Sequence, residues 1–390
     1  MTKPLQDIVI IDLTHVLAGP FCSNTLGDMG AKVIKVERPV LGDDTRQFLP
    51  FFEGESAYFA ALNAGKKSIA LDLRAPADRD IFERLLDRAD VVLENYRPGV
   101  MERLGYGWED LKKIHPRLIY GVVSGFGHTG PEAGKPAYDL VAQARGGVMA
   151  ITGEEGGNPV RVGASIGDII AGMYLTQGVL AALVQRDREG YGAKVDISML
   201  DAQIPIQEHA LALASTTGVS PVPTGARHPS ITPFSTYRAA DGFFVIAAGN
   251  DALFVKMCNA IGRPELATDE RFVTNATRTA NVAVLKRKIE VATLEQPRDH
   301  WIEVLEAAGV PTGKLQNMGE VMQDPQVLAR HMVVPVKPRP GGGPKFMASG
   351  NPIKLSTMEE ITVREPVSKL DGDRAEVLAW LEAAKGETAR

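Results

Sequence analysis

The sequence predicts an α/β protein: a parallel sheet covered by helices, followed by a smaller α/β unit. Three observations point there. Apolar runs of strand length recur through the first third of the chain, helical segments alternate with them, and a strand-and-helix pattern restarts after a Pro- and Gly-rich break.

"DIVIIDL" (7–13) is a continuous apolar run, as a strand buried on both faces requires. "GPFCSNTLGDMGA" (19–31) reads as a helix ended near Gly30, and "KVIKVE" (32–37) as a second strand. Further strands are expected at 66–73, 90–96 and 118–124, with helical periodicity at 76–89 and 100–115 between them. From about 136 to 215 the pattern is mainly helical, interrupted by the strand-like "AKVDISML" (193–200). "STTGVSPVPTGARHPSITP" (215–233) breaks the periodicity and reads as a linker or an active-site loop. A strand at 242–250 restarts the pattern, helices run to about 320, and a loop at 337–352 precedes a last helix at 374–386. The expected division is a large domain at 1–215, a linker at 216–233, a small domain at 234–325 and a return to the large domain at 326–390.

Composition is that of a soluble globular protein, 44% hydrophobic and 23% charged. A net charge of −5 argues against a nucleic-acid partner. Cys22 and Cys258 match no ligand or redox spacing, which suits a reduced, cytoplasmic protein. The N-terminus lacks a secretory pattern, and the apolar stretch at 169–184 reads as too short to span a membrane. The seven histidines show no metal-ligand spacing, so no metal is expected; His15 and His128 sit on loops after strands.

One carboxylate stands out. In "GASIGDIIAGMY" (163–174) Asp168 lies among small and apolar residues, where a charge must be paired, hydrogen-bonded or used. Ile166, Ile169, Ile170, Met173 and Tyr174 recur at helical spacing, and Ser165–Asp168 fits a capping box in which Ser caps and the acid reaches back. Gly172, Leu175 and Val179 share the side of the helix that carries Asp168.

Two nucleotide signals fall short. Glu37 ends a strand where an acid could hold a ribose, but "THVLAGP" lacks the glycine trio for pyrophosphate. "GFGHTG" (125–130) follows a strand yet opens no helix. A dinucleotide dehydrogenase is disfavoured, and there is no Ser-hydrolase elbow or Walker loop. Arg38, Lys66, Lys67, Arg97 and Arg103 cluster near strand ends, where cations suit a phosphorylated ligand.

Taken in order, "IDLTHVLAGPFCSNTLGDMGAKVIKVERP", "GDDTR", "NAGKKSIALDL", "ENYRPGVMERLGYGW", "SGFGHTGP", "PAYDLVAQA", "VGASIGDIIAGMY" and "GAKVDISMLDA" resemble the class III CoA-transferases over nearly the whole chain. The resemblance implies a Rossmann-like large domain and a smaller α/β domain in an interlocked homodimer. It implies transfer of CoA from an acyl-CoA to a small carboxylate, with coenzyme A as substrate and no prosthetic group. Asp168 becomes the expected nucleophile. CoA contacts are carried to His15, Val16, Arg38, Asn95, Tyr96 and Arg103, with Lys66 near the phosphates, and an acyl-site tyrosine to Tyr138.

There are departures. Leu17 stands where some oxalate-using relatives carry Gln, and "PTGARHPSITPF" replaces the glycine run of formyl-CoA transferases. Arg227 and His228 there are candidates for a substrate carboxylate. "TGARHPSITPF" followed by "AAGNDALF" is most similar to the acetyl-CoA:oxalate and succinyl-CoA:dicarboxylate branch. The alternative, an acyl-CoA racemase on the same fold, is disfavoured because Tyr138 occupies the position of that branch's catalytic histidine. Burial would raise the Asp168 pKa by up to roughly 3–5 units. A helix N-terminus opposes this by about 0.3–1 kcal/mol, up to ~2 when partly buried.

Overall fold

A computed structural model of the chain describes residues 3–339 and 346–385. The chain divides into two compact units: Met1–Val148 with Arg161–Gly218 and Pro325–Arg390, and Met149–Val160 with Val219–Asp324.

In the first unit six strands form one all-parallel sheet: β1 (Val9–Asp12), β2 (Lys32–Glu37), β3 (Lys67–Ala70), β4 (Val91–Glu94), β5 (Ile119–Ser124) and β6 (Lys194–Ser198). Their order is β3-β2-β1-β4-β5-β6, which reverses direction between β1 and β4. That reversal leaves a crevice at the carboxyl ends of the strands, the usual ligand site of such sheets. The strand-like 193–200 segment is the sixth strand, paired with β5 from Tyr120↔Lys194 to Ser124↔Ser198.

Helix α1 (Ala18–Asp28) and the long α3 (Ile166–Glu189) cover one face of the sheet around Ile10, Leu26, Leu93, Leu175 and Val179. Between them in sequence lies the short α2 (Asp139–Arg145). The other face buries Ile11, Ile34, Phe82 and Tyr120, and the last helix (Arg374–Lys385) adds Val377 and Leu381 to it. The expected helix at 100–115 is two pieces, Val100–Leu104 and Trp108–Ile114, parted at Gly105, whose φ of 86° favours glycine.

The structure identifies the packed face of α3 and corrects one reading of the segment. The isoleucine stripe is not the packed face: Met173 is exposed, whereas Gly167, Ala171, Gly172, Leu175, Thr176 and Val179 are buried. The small residues win because α1 comes very close; a Cβ on Gly172 would lie 2.5 Å from the Ala18 carbonyl oxygen. Asp168 therefore shares the buried face. Nor is the segment too short for a membrane: the helix runs 24 residues, long and apolar enough by length and composition. Here it packs on a sheet instead.

The second unit holds a three-stranded sheet of Phe234–Ala239, Gly242–Ala247 and Thr312–Lys314, all antiparallel, over a core of Phe244, Phe254, Phe272 and Leu305. Its outer two strands gave no clear sequence signal. Residues 149–160, read with the large domain, belong here. The Gly225 N–H donates to the Gly153 carbonyl at 2.9 Å, and Arg227 pairs with Glu155 at 3.3 Å. Part of the expected 337–352 loop, residues 340–345, lies outside the described residues; Met347–Ser349 pairs with Val333–Pro335.

Candidate active site

The first turn of α3 is built differently from a capping box. Ser165 holds the N-cap position without a side-chain capping bond. The Gly167 N–H donates instead to Asp139 Oδ1 at 2.8 Å, from the first turn of α2. Asp139 Oδ2 accepts from Gln143 Nε2 at 2.8 Å, and Gln143 Oε1 accepts the Val162 N–H at 2.9 Å. A carboxylate 28 residues upstream thus satisfies one of the orphan donors of the helix start.

Asp168 is left half-buried, its carboxylate without a hydrogen bond or ion pair among the described residues. Burial, then the Asp139 charge, push its pKa up to about 7. At neutral pH such a group is partly ionised and weakly solvated, which suits a nucleophile. Tyr138 caps the start of α2 and is 77% exposed.

At the carboxyl ends of β1, β2 and β4 lies a cavity of about 250 Å³ lined by Thr14, His15, Arg38, Gly42, Asp43 and Tyr96, among others. His15 and Asn95 clamp each other: the His15 N–H donates to Asn95 Oδ1 at 2.9 Å and Asn95 Nδ2 donates to the His15 carbonyl at 2.8 Å. The His15 ring lies 5.5 Å from that of Tyr96, and burial lowers its pKa, so it is neutral at pH 7. Val16 adopts φ 66°, costly for a β-branched residue, and its N–H donates to Asp43 Oδ1 at 3.2 Å. Arg38 is exposed, bonds the Gly42 carbonyl at 2.9 Å and pairs with Asp44. Arg103 is exposed, with no side-chain ion pair among the described residues; Gly99 leaves it room, since a Cβ there would lie 3.1 Å from its Nη1. Leu17 is buried at the N-cap of α1.

Two of the expected cations are not at the crevice. Lys66, assigned to the CoA phosphates, has a side chain 3% exposed, and its Nζ bonds Ser23 Oγ (2.7 Å), Asn63 Oδ1 (2.8 Å), Asp12 Oδ2 (3.1 Å) and the Pro20 carbonyl (3.2 Å). Asp12 is wholly buried and needs a counter-charge, which consumes Lys66. Burial lowers the Lys66 pKa to about 8 against the Asp12 charge. Lys67 pairs with Glu376 at 2.7 Å on the last helix. Glu37, the ribose candidate, is committed to Arg46 through two 2.7 Å bonds.

Arg227 and His228 belong to the second unit; Arg227 pairs with Glu155, and His228 Nδ1 accepts the Ser230 N–H at 3.1 Å. His128 sits beyond β5, its Nδ1 3.0 Å from Lys194 Nζ. Sequence reading missed Asp139 and Tyr58. Burial raises the Tyr58 pKa, with the charges of Asp168, Asp43 and Asp139 adding to it, so this ring lies in the field of both regions. Asp139 could have been flagged from "PAYDL", where it follows Tyr138; Tyr58 had no signal.

The model for CoA-transferase family III matches residues 5–373. The chain belongs to that family. It is 46% identical to an acetyl-CoA:oxalate CoA-transferase of Acetobacter aceti over 369 residues, 94% of this chain and 93% of the relative. A succinyl-CoA:mesaconate CoA-transferase of Haloarcula hispanica is 40% identical, with 96% and 95% covered. The crystal structure of a CAIB/BAIF family protein from Brucella suis superposes with a TM-score of 0.87 at 38% identity, covering 98% of this chain and 100% of that one. The protein is therefore a CoA-transferase, an enzyme that uses CoA thioesters as substrates.

Proposed function

We propose that this transferase moves CoA from acetyl-, succinyl- or formyl-CoA to a small carboxylate, a dicarboxylate such as oxalate, with Asp168 as nucleophile. The observation that carries the reading is a half-buried carboxylate, unpartnered among the described residues, in the first turn of a 24-residue helix, its pKa raised to about 7. The names of the relatives supply the substrate class.

In the proposed sequence the Asp168 carboxylate attacks the acyl carbonyl of the donor, breaking the thioester to give a mixed anhydride and the CoA thiolate. The thiolate attacks the aspartyl carbonyl, giving an aspartyl-CoA thioester and releasing the donor acid. The acceptor carboxylate then attacks that thioester, giving a second anhydride and the thiolate again. Attack on the acceptor acyl carbonyl forms the new acyl-CoA and regenerates Asp168. Each step exchanges one activated acyl bond for another, so no step needs an outside energy source.

His15, Val16, Arg38, Asn95, Tyr96 and Arg103 are the proposed CoA contacts, and Tyr138 and Leu17 the proposed acyl-site neighbours. Arg227 and His228 are the proposed partners of an acceptor carboxylate. The interlocked homodimer belongs to the same reading, from the resemblance, and a cytoplasmic setting to it from the cysteine usage.

The test pairs acetyl-, succinyl- and formyl-CoA with a panel of mono- and dicarboxylates and identifies new thioesters by mass. Transfer to a dicarboxylate supports the proposal. Transfer confined to monocarboxylates overturns the acceptor class, and α-proton exchange of a 2-methylacyl-CoA without transfer moves the enzyme to the racemase reading. Hydroxylamine with acyl-CoA should convert Asp168 to a hydroxamate; label on another residue with Asp168 intact would overturn the nucleophile.

A further inference from the structure

We propose that Asp139 is a positioning residue for the transfer reaction: by tying the first turn of α3 to α2, it fixes where the Asp168 carboxylate is presented to substrate. The inference rests on Asp168 being the nucleophile. Four observations carry it.

The local alternative is a capping box, in which the Ser165 hydroxyl would take a first-turn N–H and Asp168 would reach back to the Ser165 N–H, and it does not form. Asp139 takes the place of the Ser165 hydroxyl, accepting the Gly167 N–H at 2.8 Å. The fit is close: a Cβ on Gly167 would stand 2.9 Å from Asp139 Oδ1, so glycine lets the two helices meet there.

The hydrogen-bond chain also has a direction that demands a carboxylate. Gly167 N–H donates into Asp139 from one side, and Gln143 Nε2 donates into it from the other. Gln143 is itself fully buried and fixed in that orientation, because its Oε1 takes the Val162 N–H. An amide at position 139 would present donors to a donor; a carboxylate accepts from both sides. Asp139 thereby anchors both the segment that enters α3, at Val162, and its first turn, at Gly167.

Finally, Asp139 is buried, and its charge reaches Asp168. Tyr58, on the Ala57–Asn63 helix, lies in the same field and stays neutral because burial raises its pKa. On α1, Cys22 is likewise neutral, its thiol pushed up to about 12 by burial. Asp139 is therefore the charge that sets the Asp168 titration beyond burial itself.

The experiment compares Asp139→Asn with the double variant Asp139→Asn plus Gln143→Glu, which swaps the amide and the carboxylate. In the swap, the carboxylate now at position 143 can accept from the amide now at position 139 and from the Val162 N–H. That restores the direction of the chain. For Asp139→Asn the expectation is a kcat fall of about tenfold or more, as misplacement of a reacting group produces, with the acyl-CoA KM within about threefold. The acid limb of its kcat/KM profile should move to lower pH, because a like charge has gone. The swap should recover most of the lost kcat.

A wild-type kcat with an unshifted acid limb in Asp139→Asn overturns the proposal. So does a loss of kcat that tracks a loss of folded protein and is not recovered by the swap, which marks a merely structural residue. Asp168→Asn in the same assay separates the two readings. Near wild-type transfer there overturns the nucleophile, whereas an inactive Asp168→Asn beside an unaffected Asp139→Asn overturns only the positioning role.

Discussion

Asp139 accepts the N–H of Gly167, the residue immediately before Asp168, at 2.8 Å. Asp139 caps the helix, and the Asp168 carboxylate stays unbonded among the described residues. Without the first, the local acceptor for that N–H would be the Ser165 hydroxyl at the N-cap, which would leave the helix start untied to α2.

The Asp168 titration predicts opposite pH trends for activity and stability. A nucleophile must be ionised, so kcat/KM should fall as pH drops below about 7, close to tenfold per unit at the limit. Stability runs the other way. The folded pKa of about 7 exceeds the ordinary value of 3.8, so between them the folded state binds more protons. The Asp168 contribution is therefore lost as pH rises from about 4 to about 7; an Asp168→Asn variant lacks that loss while sharing the similar one from Glu94, whose pKa burial also raises to about 7. Above pH 7 the variant should be more stable by roughly 1–3 kcal/mol, a figure already reduced for partial exposure, with no difference below pH 4. Denaturant titrations across pH 4–8 measure this; parallel curves for the two proteins would refute it.

Lys66 and Arg103 should separate binding from folding. Lys66→Met leaves Asp12 buried without its nearest cation, and should cost about 3–5 kcal/mol of stability. Its folded fraction should keep the wild-type KM for acyl-CoA. Arg103→Ala should do the reverse: unchanged melting, with KM for acyl-CoA raised about 10-fold or more, as loss of a charged hydrogen bond produces. Thermal melts and initial rates on both variants decide it, and a raised KM in Lys66→Met with normal stability would return Lys66 to the CoA site.

Gly172→Ala should cost about 1–3 kcal/mol, because the added methyl meets the Ala18 carbonyl oxygen at 2.5 Å and α1 must move away from α3. Met173→Ala, one residue on and exposed, should cost under about 0.5 kcal/mol. Equal effects at the two positions would refute the close approach of α1 to α3 at Gly172.

Arg364 and Asp28 form a buried bidentate pair, 2.6 and 2.9 Å. Arg364→Met alone should cost about 3–5 kcal/mol, and adding Asp28→Leu should recover most of it, since two apolar residues leave no orphaned charge. Denaturant midpoints for the single and double variants test this, with an additive double loss as the contrary result.

Local order was open to sequence reading. Apolar runs of strand length marked β1 to β5, and helical spacing marked α1, α3 and the last helix, because both patterns are set by side chains within a few residues of one another. The position of Asp168 at a helix start was legible for the same reason, and the ordered motifs identified the family. What only the tertiary structure decided involves partners far apart in the chain. Asp139 takes a donor 28 residues away, and Lys66 is spent on an aspartate 54 residues away. The packed face of α3 is chosen by the closeness of α1, which favours its glycine and alanine over its isoleucines. Periodicity reports which residues share a face; only packing decides which face is buried and which charges are already taken.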